Sequence, residues 1–142
     1  TRPGALDAGV ILHLLRQEGM KAEEIGDLLY HDCGLKGVSA LSADMRELLV
    51  SDKPETKEAV ELYCLLAAKQ IAALIPSLGG IDALIFTGGI GEHAAPVRER
   101  ITEHLRFLGD FAVEIIPADE ESVMARACRD LTVIKPPAGQ SA

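Results

Sequence analysis

The sequence predicts a helix-rich α/β fold with a partly parallel sheet, and three observations predict it. Apolar residues recur at helical spacing through much of residues 8–75. Two short, mostly apolar runs, 83–87 and 113–116, are bounded by Asp82 and Gly88 and by Pro117, as strands are. Between them, residues 96–108 form an amphipathic stretch that opens on a proline and closes on Gly109. Two strands separated by a helix pair in parallel through a crossover. A length of 142 residues suits one domain, placed at residues 1–135, with a loose tail at 136–142 that begins on Pro136-Pro137.

The elements follow in order. Asp7 is positioned to cap a first helix whose apolar stripe includes Val10, Ile11, Leu14 and Leu15 and which Gly19 stops. Residues 22–33 repeat the pattern through Ile25, Leu28 and Leu29, with Gly34 as terminator. Residues 35–43 read as a small-residue loop or a short strand, and 44–50 as a short helix with Ser42 as a candidate cap. A long helix is expected over 55–75, with Pro54 near its first turn, Glu55 and Glu58 at the positive end of its dipole, and Pro76 with Gly79-Gly80 ending it. The 83–87 run has the composition of a strand buried on both faces. Gly88-Gly89-Ile90-Gly91-Glu92 reads as a glycine-rich turn, and 119–131 as a last helix capped by Asp119. Residues 62–75 are strongly apolar but are interrupted by Lys69 and Gln70; a membrane span needs about 20 predominantly apolar residues, so this run reads as a buried helix of a soluble protein.

Composition excludes several classes of function. Apolar residues at 48% and charged residues at 25% are enough for a real core, which argues against disorder. A net charge of −8 with no basic stretch argues against nucleic acid and anionic membranes as partners. With no Trp and only five other aromatic residues, there is little from which to build a base-stacking surface. Cys33, Cys64 and Cys128 are far apart and form no CxxC, so they read as small core residues in a reducing cytoplasm rather than as a disulfide framework or zinc site. Residues 1–7 lack a basic stretch leading into an apolar run, so no signal peptide is expected, and the missing initiator Met leaves a processed chain or a fragment as the expectation.

The chemistry is expected where the first strand runs into its glycines. Ligands meet parallel sheets at the carboxyl ends of strands, and glycine lets backbone approach them closely. Free N–H groups of such a turn can face anionic or polar groups. The P-loop pattern GxxxxGK[ST] is absent. Gly89-x-Gly91-x-x-Ala94 fits the dinucleotide fingerprint, but that reading needs an acid at the end of the next strand. Glu114 lies inside that strand and Asp119 follows Pro117, so this reading ranks second.

Thr87-Gly88-Gly89-Ile90-Gly91-Glu92 resembles the adenosine-binding loop of the acetate kinase family. Four further motifs are similar to that family in the same order: residues 1–7 (TRPGALD), 42–46 (SADMR), Val97-Arg98-Glu99-Arg100 with Phe107-Leu108-Gly109, and Ile116-Pro117-Ala118-Asp119-Glu120-Glu121 with Met124-Ala125-Arg126. The likeness spans nearly the whole chain, but covers only about the last third of the family's chains. It implies the nucleotide-binding lobe of the superfamily of sugar kinases, actin and heat-shock chaperone ATPases, a ribonuclease H-like fold. It also implies transfer of the γ-phosphoryl of ATP to acetate, giving acetyl phosphate and ADP, with Mg²⁺ and in a homodimer. Arg2 matches the family's catalytic arginine, whose planar fork of donors suits a phosphoryl group. Asp44, Met45 and Arg46 match residues lining adenine and ribose, and Gly88, Gly89, Ile90 and Gly91 match the backbone loop beside adenosine. His93 stands where many members have Asn, and it too donates and accepts hydrogen bonds. Glu120 matches a magnesium-associated carboxylate, a hard oxygen ligand of the kind Mg²⁺ prefers.

Residue by residue, other readings stay open: a solvated terminus for Arg2, a helix cap and surface pair for Asp44 and Arg46, and first-turn helix charge for Glu120. A propionate kinase shares all these motifs, and a non-catalytic lobe that only binds nucleotide or only dimerises is the alternative from another class. The stretch between Gly109 and Ile115 is shorter than the family's.

Overall fold

The computed structural model describes residues 1–132, and among them the chain runs through eight α-helices and two strands. The expected tail at 136–142, and with it the domain limit at 135, lies outside the described residues. The helices α1 (Ala8–Arg16) and α2 (Ala22–His31) come first. Asp7 caps α1, its Oδ1 accepting from Gly9 N at 2.6 Å, as the sequence predicts. Glu24 reaches back from the first turn of α2 to accept from Lys21 N at 2.7 Å.

The next segment departs from expectation. Gly34 does not simply end a helix; it opens α3 (Gly34–Ser39), where a loop or strand was predicted. Ser39 then closes that helix, its Oγ accepting from the N–H groups of Leu41 and Ser42 at 3.2 and 3.3 Å. The helix α4 (Met45–Val50) is capped by Asp44 rather than Ser42. Ser42 acts one step earlier, its Oγ accepting from Asp44 N at 3.0 Å.

The helix α5 (Pro54–Leu78) starts on Pro54 as expected, and Thr56 seals its first turn by donating to Lys53 O at 2.7 Å. Pro76 does not end it. The helix carries Pro76 inside its last turn and stops at Gly79, whose φ of +77° suits a left-handed cap. A proline one turn from the end forfeits a single intrahelical bond, at a point where solvent reaches the backbone. Nor is α5 buried all round. Thr56, Ala59, Val60, Cys64 and Ala68 are buried on one face, while Leu62, Leu65, Leu66, Leu74 and Leu78 are exposed on the others. By length and composition it is apolar enough to cross a membrane, although its buried face is committed to α3, α4 and α7.

The strand β1 (Ala83–Phe86) leads into α6 (Gly88–His93) and α7 (Ala95–Leu105), a 3-10 turn (Arg106–Leu108), β2 (Ala112–Ile115) and α8 (Glu120–Thr132). The two strands pair in parallel, Ala83 with Ala112 through Phe86 with Ile115, so the predicted crossover is present. Burial of β1 on both faces is not: only Phe86 is buried, and Ile85 is 51% exposed. A two-stranded sheet offers one packing face, and here that face carries Phe86 and Leu84 against the helices. Asp119 caps α8, accepting from Ser122 N at 3.2 Å.

The core joins Met45 and Leu48 of α4, Val60, Cys64 and Ala68 of α5, Phe86 of β1, Ala94, and Val97, Ile101 and Leu105 of α7. Of the three cysteines expected in the core, only Cys64 lies there; Cys33 is half-buried and Cys128 exposed. His104 of α7 and Glu61 of α5 meet at 2.8 Å over the same helix pair. Leu105 is 0% exposed, and its replacement by Ala is expected to destabilise the fold by about 2–5 kcal/mol through lost burial and a residual cavity. Leu78→Ala, at a side chain 71% exposed, is expected to cost less than about 0.5 kcal/mol. Urea unfolding midpoints of the two variants check this, and equal shifts would contradict the assigned core.

Candidate functional site

A cleft of about 540 Å³ opens between the start of α4 and the glycine-rich segment. Its lining is Ala43, Asp44, Met45, Arg46 and Leu49 on one side and Gly89, Ile90, His93 and Ala94 on the other. Two segments more than forty residues apart in sequence, both singled out on motif alone, thus face each other. Gly88 and Gly91 are not among the lining residues. An open groove of similar size along α7 and β2 brings together none of the expected residues.

One wall is built by the capping of α4. Asp44 Oδ1 accepts from Arg46 N at 2.9 Å, which sets the first turn. The same carboxylate takes the Arg46 guanidinium, with Nη2 to Oδ2 at 2.6 Å and Nε to Oδ1 at 3.1 Å. Cap and surface pair are therefore both real, and they lie on the rim of the cleft. Met45 is only 3% exposed; it belongs to the core and shows the cleft one edge. Leu49, one turn on, adds an apolar patch that motif reading missed, although a position four residues from Met45 lies on the same helix face.

The other wall is α6, which replaces the expected glycine turn. A single turn at Gly88, with φ +72°, swings the chain out of β1 and into the helix. Gly89 itself has no positive φ, so the backbone constraint falls on Gly88 instead. A Cβ built on Gly89 would meet nothing within 4 Å, so any side chain there would stand in the open space of the cleft. Ile90 is half-buried against the core, and His93 is exposed.

The N–H groups expected to be free for an anion are partly used. Glu92 Oε1 accepts from Gly88 N at 2.7 Å and from Ala118 N at 2.8 Å. These bonds, that from Ala118 first, hold the Glu92 carboxyl below the usual glutamate range. At the other end of α6, Arg98 Nη1 donates to Gly91 O at 2.8 Å and to Glu92 O at 2.9 Å. The short helix is thus closed by a carboxylate at its positive end and a guanidinium at its negative end. Glu92 and Arg98 both fall inside motifs quoted from the sequence, but the sequence assigns neither a role of its own. The four-residue spacing of Gly88 and Glu92 is a weak signal, and the link to Ala118 leaves none.

The remaining expected residues stand apart from the cleft. Arg2 stacks its guanidinium over the Tyr30 ring, 4.2 Å from the centroid. Its segment is tied to the junction of α2 and α3, where Cys33 N donates to Thr1 O at 3.0 Å. A Cβ on Gly34 would come within 2.5 Å of Arg2 O, so glycine is what permits this approach. Glu120 is exposed at the first position of α8. Among the described residues no three His, Cys, Asp or Glu side chains gather as a metal cage.

A model of the acetokinase family matches residues 1–140. The acetate kinase of Rhodopseudomonas palustris (strain TIE-1) is 52% identical over 109 residues, covering 77% of this chain and 27% of that protein. A crystal structure of Porphyromonas gingivalis acetate kinase superposes with a TM-score of 0.83 at 28% identity, covering 93% of this chain and 40% of that one. A propionate kinase from Francisella tularensis subsp. tularensis SCHU S4 also superposes with a TM-score of 0.83 at 28% identity, covering 89% of this chain and 38% of that one. The helix-rich fold with its small parallel sheet is thus shared with acetate and propionate kinases. The chain spans well under half the length of each of these relatives.

Asp44 supplies a pH test of the α4 wall. Its carboxyl is held below the ordinary value of 3.8, first by the Arg46 side chain and then by the Arg46 N–H. A depressed carboxylate contributes stability that is present above 3.8 and lost as pH falls through the lower folded value. Asp44→Asn keeps a capping oxygen but removes the charge. Its stability is expected to be lower than wild type at neutral pH, with the two converging below pH 3.8. Urea unfolding at stepped pH checks this; a constant difference at all pH values would contradict it.

Proposed function

This chain belongs to the acetokinase family, and from that premise we propose that it is the nucleotide-binding lobe of an ATP-dependent acetate kinase. The observation that carries the reading is the cleft in which residues 43–46 and 89–94 face each other. Its walls suit a nucleoside. Ile90, Leu49 and the edge of Met45 offer apolar contact to a base, while Asp44, Arg46 and His93 offer polar groups to base edge and ribose. Gly89 leaves room for a ring to lie against backbone. With Gly88 N already taken by Glu92, the start of α6 suits the adenosine end of ATP better than its phosphates.

Arg2 is proposed as the group that stabilises the transferring phosphoryl, with Tyr30 holding its guanidinium plane. Mg²⁺ commonly takes one or two carboxylates, with water and substrate phosphates filling its remaining positions. A single exposed Glu120 fits that pattern, and the ion would neutralise charge on the phosphates. In the whole enzyme the γ-phosphoryl of ATP passes reversibly to acetate, giving acetyl phosphate and ADP. Propionate is the competing acid, since the superposed solved structures include a propionate kinase. A cytoplasmic, water-soluble homodimer completes the proposal. The exposed leucines of α5 supply a candidate subunit face, and light scattering over a concentration series reads it, a strict monomer counting against it.

The 142-residue chain by itself is expected to make no measurable acetyl phosphate, because groups that act as a unit lose nearly everything when separated. A hydroxamate assay with acetate, ATP and Mg²⁺ checks this, and clear turnover would overturn it. Gly89→Val is expected to weaken ATP binding by about 1–3 kcal/mol, the usual scale of steric overpacking, with little change in stability. Gly80→Val, at φ +151° and away from the cleft, is expected to lower stability more than ATP affinity. Calorimetric titration of ATP with thermal unfolding of both variants decides; an unchanged ATP constant in folded Gly89→Val would remove the glycine segment from the site.

A further inference from the structure

We propose that Glu92 is a positioning residue that couples the nucleotide cleft to the start of α8, through the one carboxylate oxygen that holds both Gly88 N and Ala118 N. This role rests on the nucleotide reading of the cleft. The two donors are 30 residues apart and belong to different ends of the proposed site: Gly88 opens the helix that carries Gly89, Ile90 and His93, and Ala118 lies two residues before Glu120.

None of residues 120–129 is buried, and the strand and loop leading in, 112–119, are exposed throughout. What ties that approach to the glycine segment is polar: Ile116 N to Phe86 O at 2.9 Å, at the end of the parallel ladder, and Ala118 N to Glu92 at 2.8 Å. The first continues the sheet. The second crosses from the loop directly to α6, and so reports the position of α6 to the residues just ahead of Glu120. An ionised carboxylate makes strong bonds to backbone N–H groups, and the ionised form is the one favoured at Glu92. On the other side, α6 is six residues long and is clasped at its far end by Arg98. A ligand that presses on Gly89 and Ile90 therefore acts on Glu92, and through it on Ala118.

The geometry also says which changes separate this role from simple folding. Glu92→Ala removes both bonds. Glu92→Gln keeps an oxygen able to accept from both donors. Ala118→Pro removes only the far donor and leaves α6 untouched, which keeps the question answerable if Glu92→Ala does not fold.

The experiment is a titration of adenosine into the isotope-labelled chain, read by amide NMR shifts. In wild type, the amides of Gly89 and Ile90 and those of Glu120 and Ser122 are expected to shift together with one apparent constant. In Glu92→Ala and in Ala118→Pro the cleft amides still respond, with adenosine affinity changed less than about fivefold, the lower end of ordinary coupling between sites. The amides of Glu120 and Ser122 then fall silent, and Glu92→Gln restores their response. Cleft shifts in wild type without any response at Glu120 and Ser122, or a response that survives in both Glu92→Ala and Ala118→Pro, would overturn the positioning role alone. No response at the cleft amides of wild type would overturn the nucleotide reading and this role with it.

Discussion

The close packing of α5 on α7 is the contact on which the rest of the structure depends. The buried positions of α5 are Thr56, Ala59, Val60, Cys64 and Ala68, which share one helix face and carry no large side chain. Small side chains let the larger Val97, Ile101 and Leu105 of α7 sit close to the α5 backbone. Cys64 Sγ lies 3.9 Å from Val97 O, which shows how near the two helices come. Once α7 is placed, α6 is placed, because only Ala94, itself a core residue, separates them. On the other flank Met45 and Leu48 seat α4 in the same core. The cleft is the gap left between two short helices, α4 seated on α5 and α6 carried by α7.

That origin explains the division of labour within the site. Apolar side chains that build the core also furnish the inner walls, so Met45 and Ile90 serve packing and lining together. The polar groups stand at the rim, where Arg46 is 89% exposed and solvent screens its pair with Asp44. The carboxylate of Glu92 and the guanidinium of Arg98, which do not line the cleft, satisfy the ends of a helix too short to be stable alone.

The apolar surface left open by this fold is extensive. Leu62, Leu65, Leu66 and Leu74 of α5, Ile85 of β1, and Val113 and Ile115 of β2 are all exposed among the described residues. Contiguous exposed apolar surface of this kind marks interaction sites.

Local signals in the sequence determined the helix caps at Asp7 and Asp119, the proline start of α5 and the parallel pairing across a helical crossover, while likeness to family motifs marked the two segments that form the cleft. Capping, turn chemistry and apolar period act over a few residues, so they can be read without knowing the fold. The same logic failed where distant contacts overrode local preference. Gly34, at φ +62°, opens a helix at a point where the backbone of residues 1–2 lies against it. Helix α5 outruns Pro76, and the strand β1 has one buried face where its composition suggests two. Only the tertiary structure decided that Gly88 rather than Gly89 bears the backbone constraint, that its N–H is taken, and that the group taking it also holds Ala118. A hydrogen bond between residues 26 apart leaves no period and no spacing in the sequence, because it is made by the packing that brings its ends together.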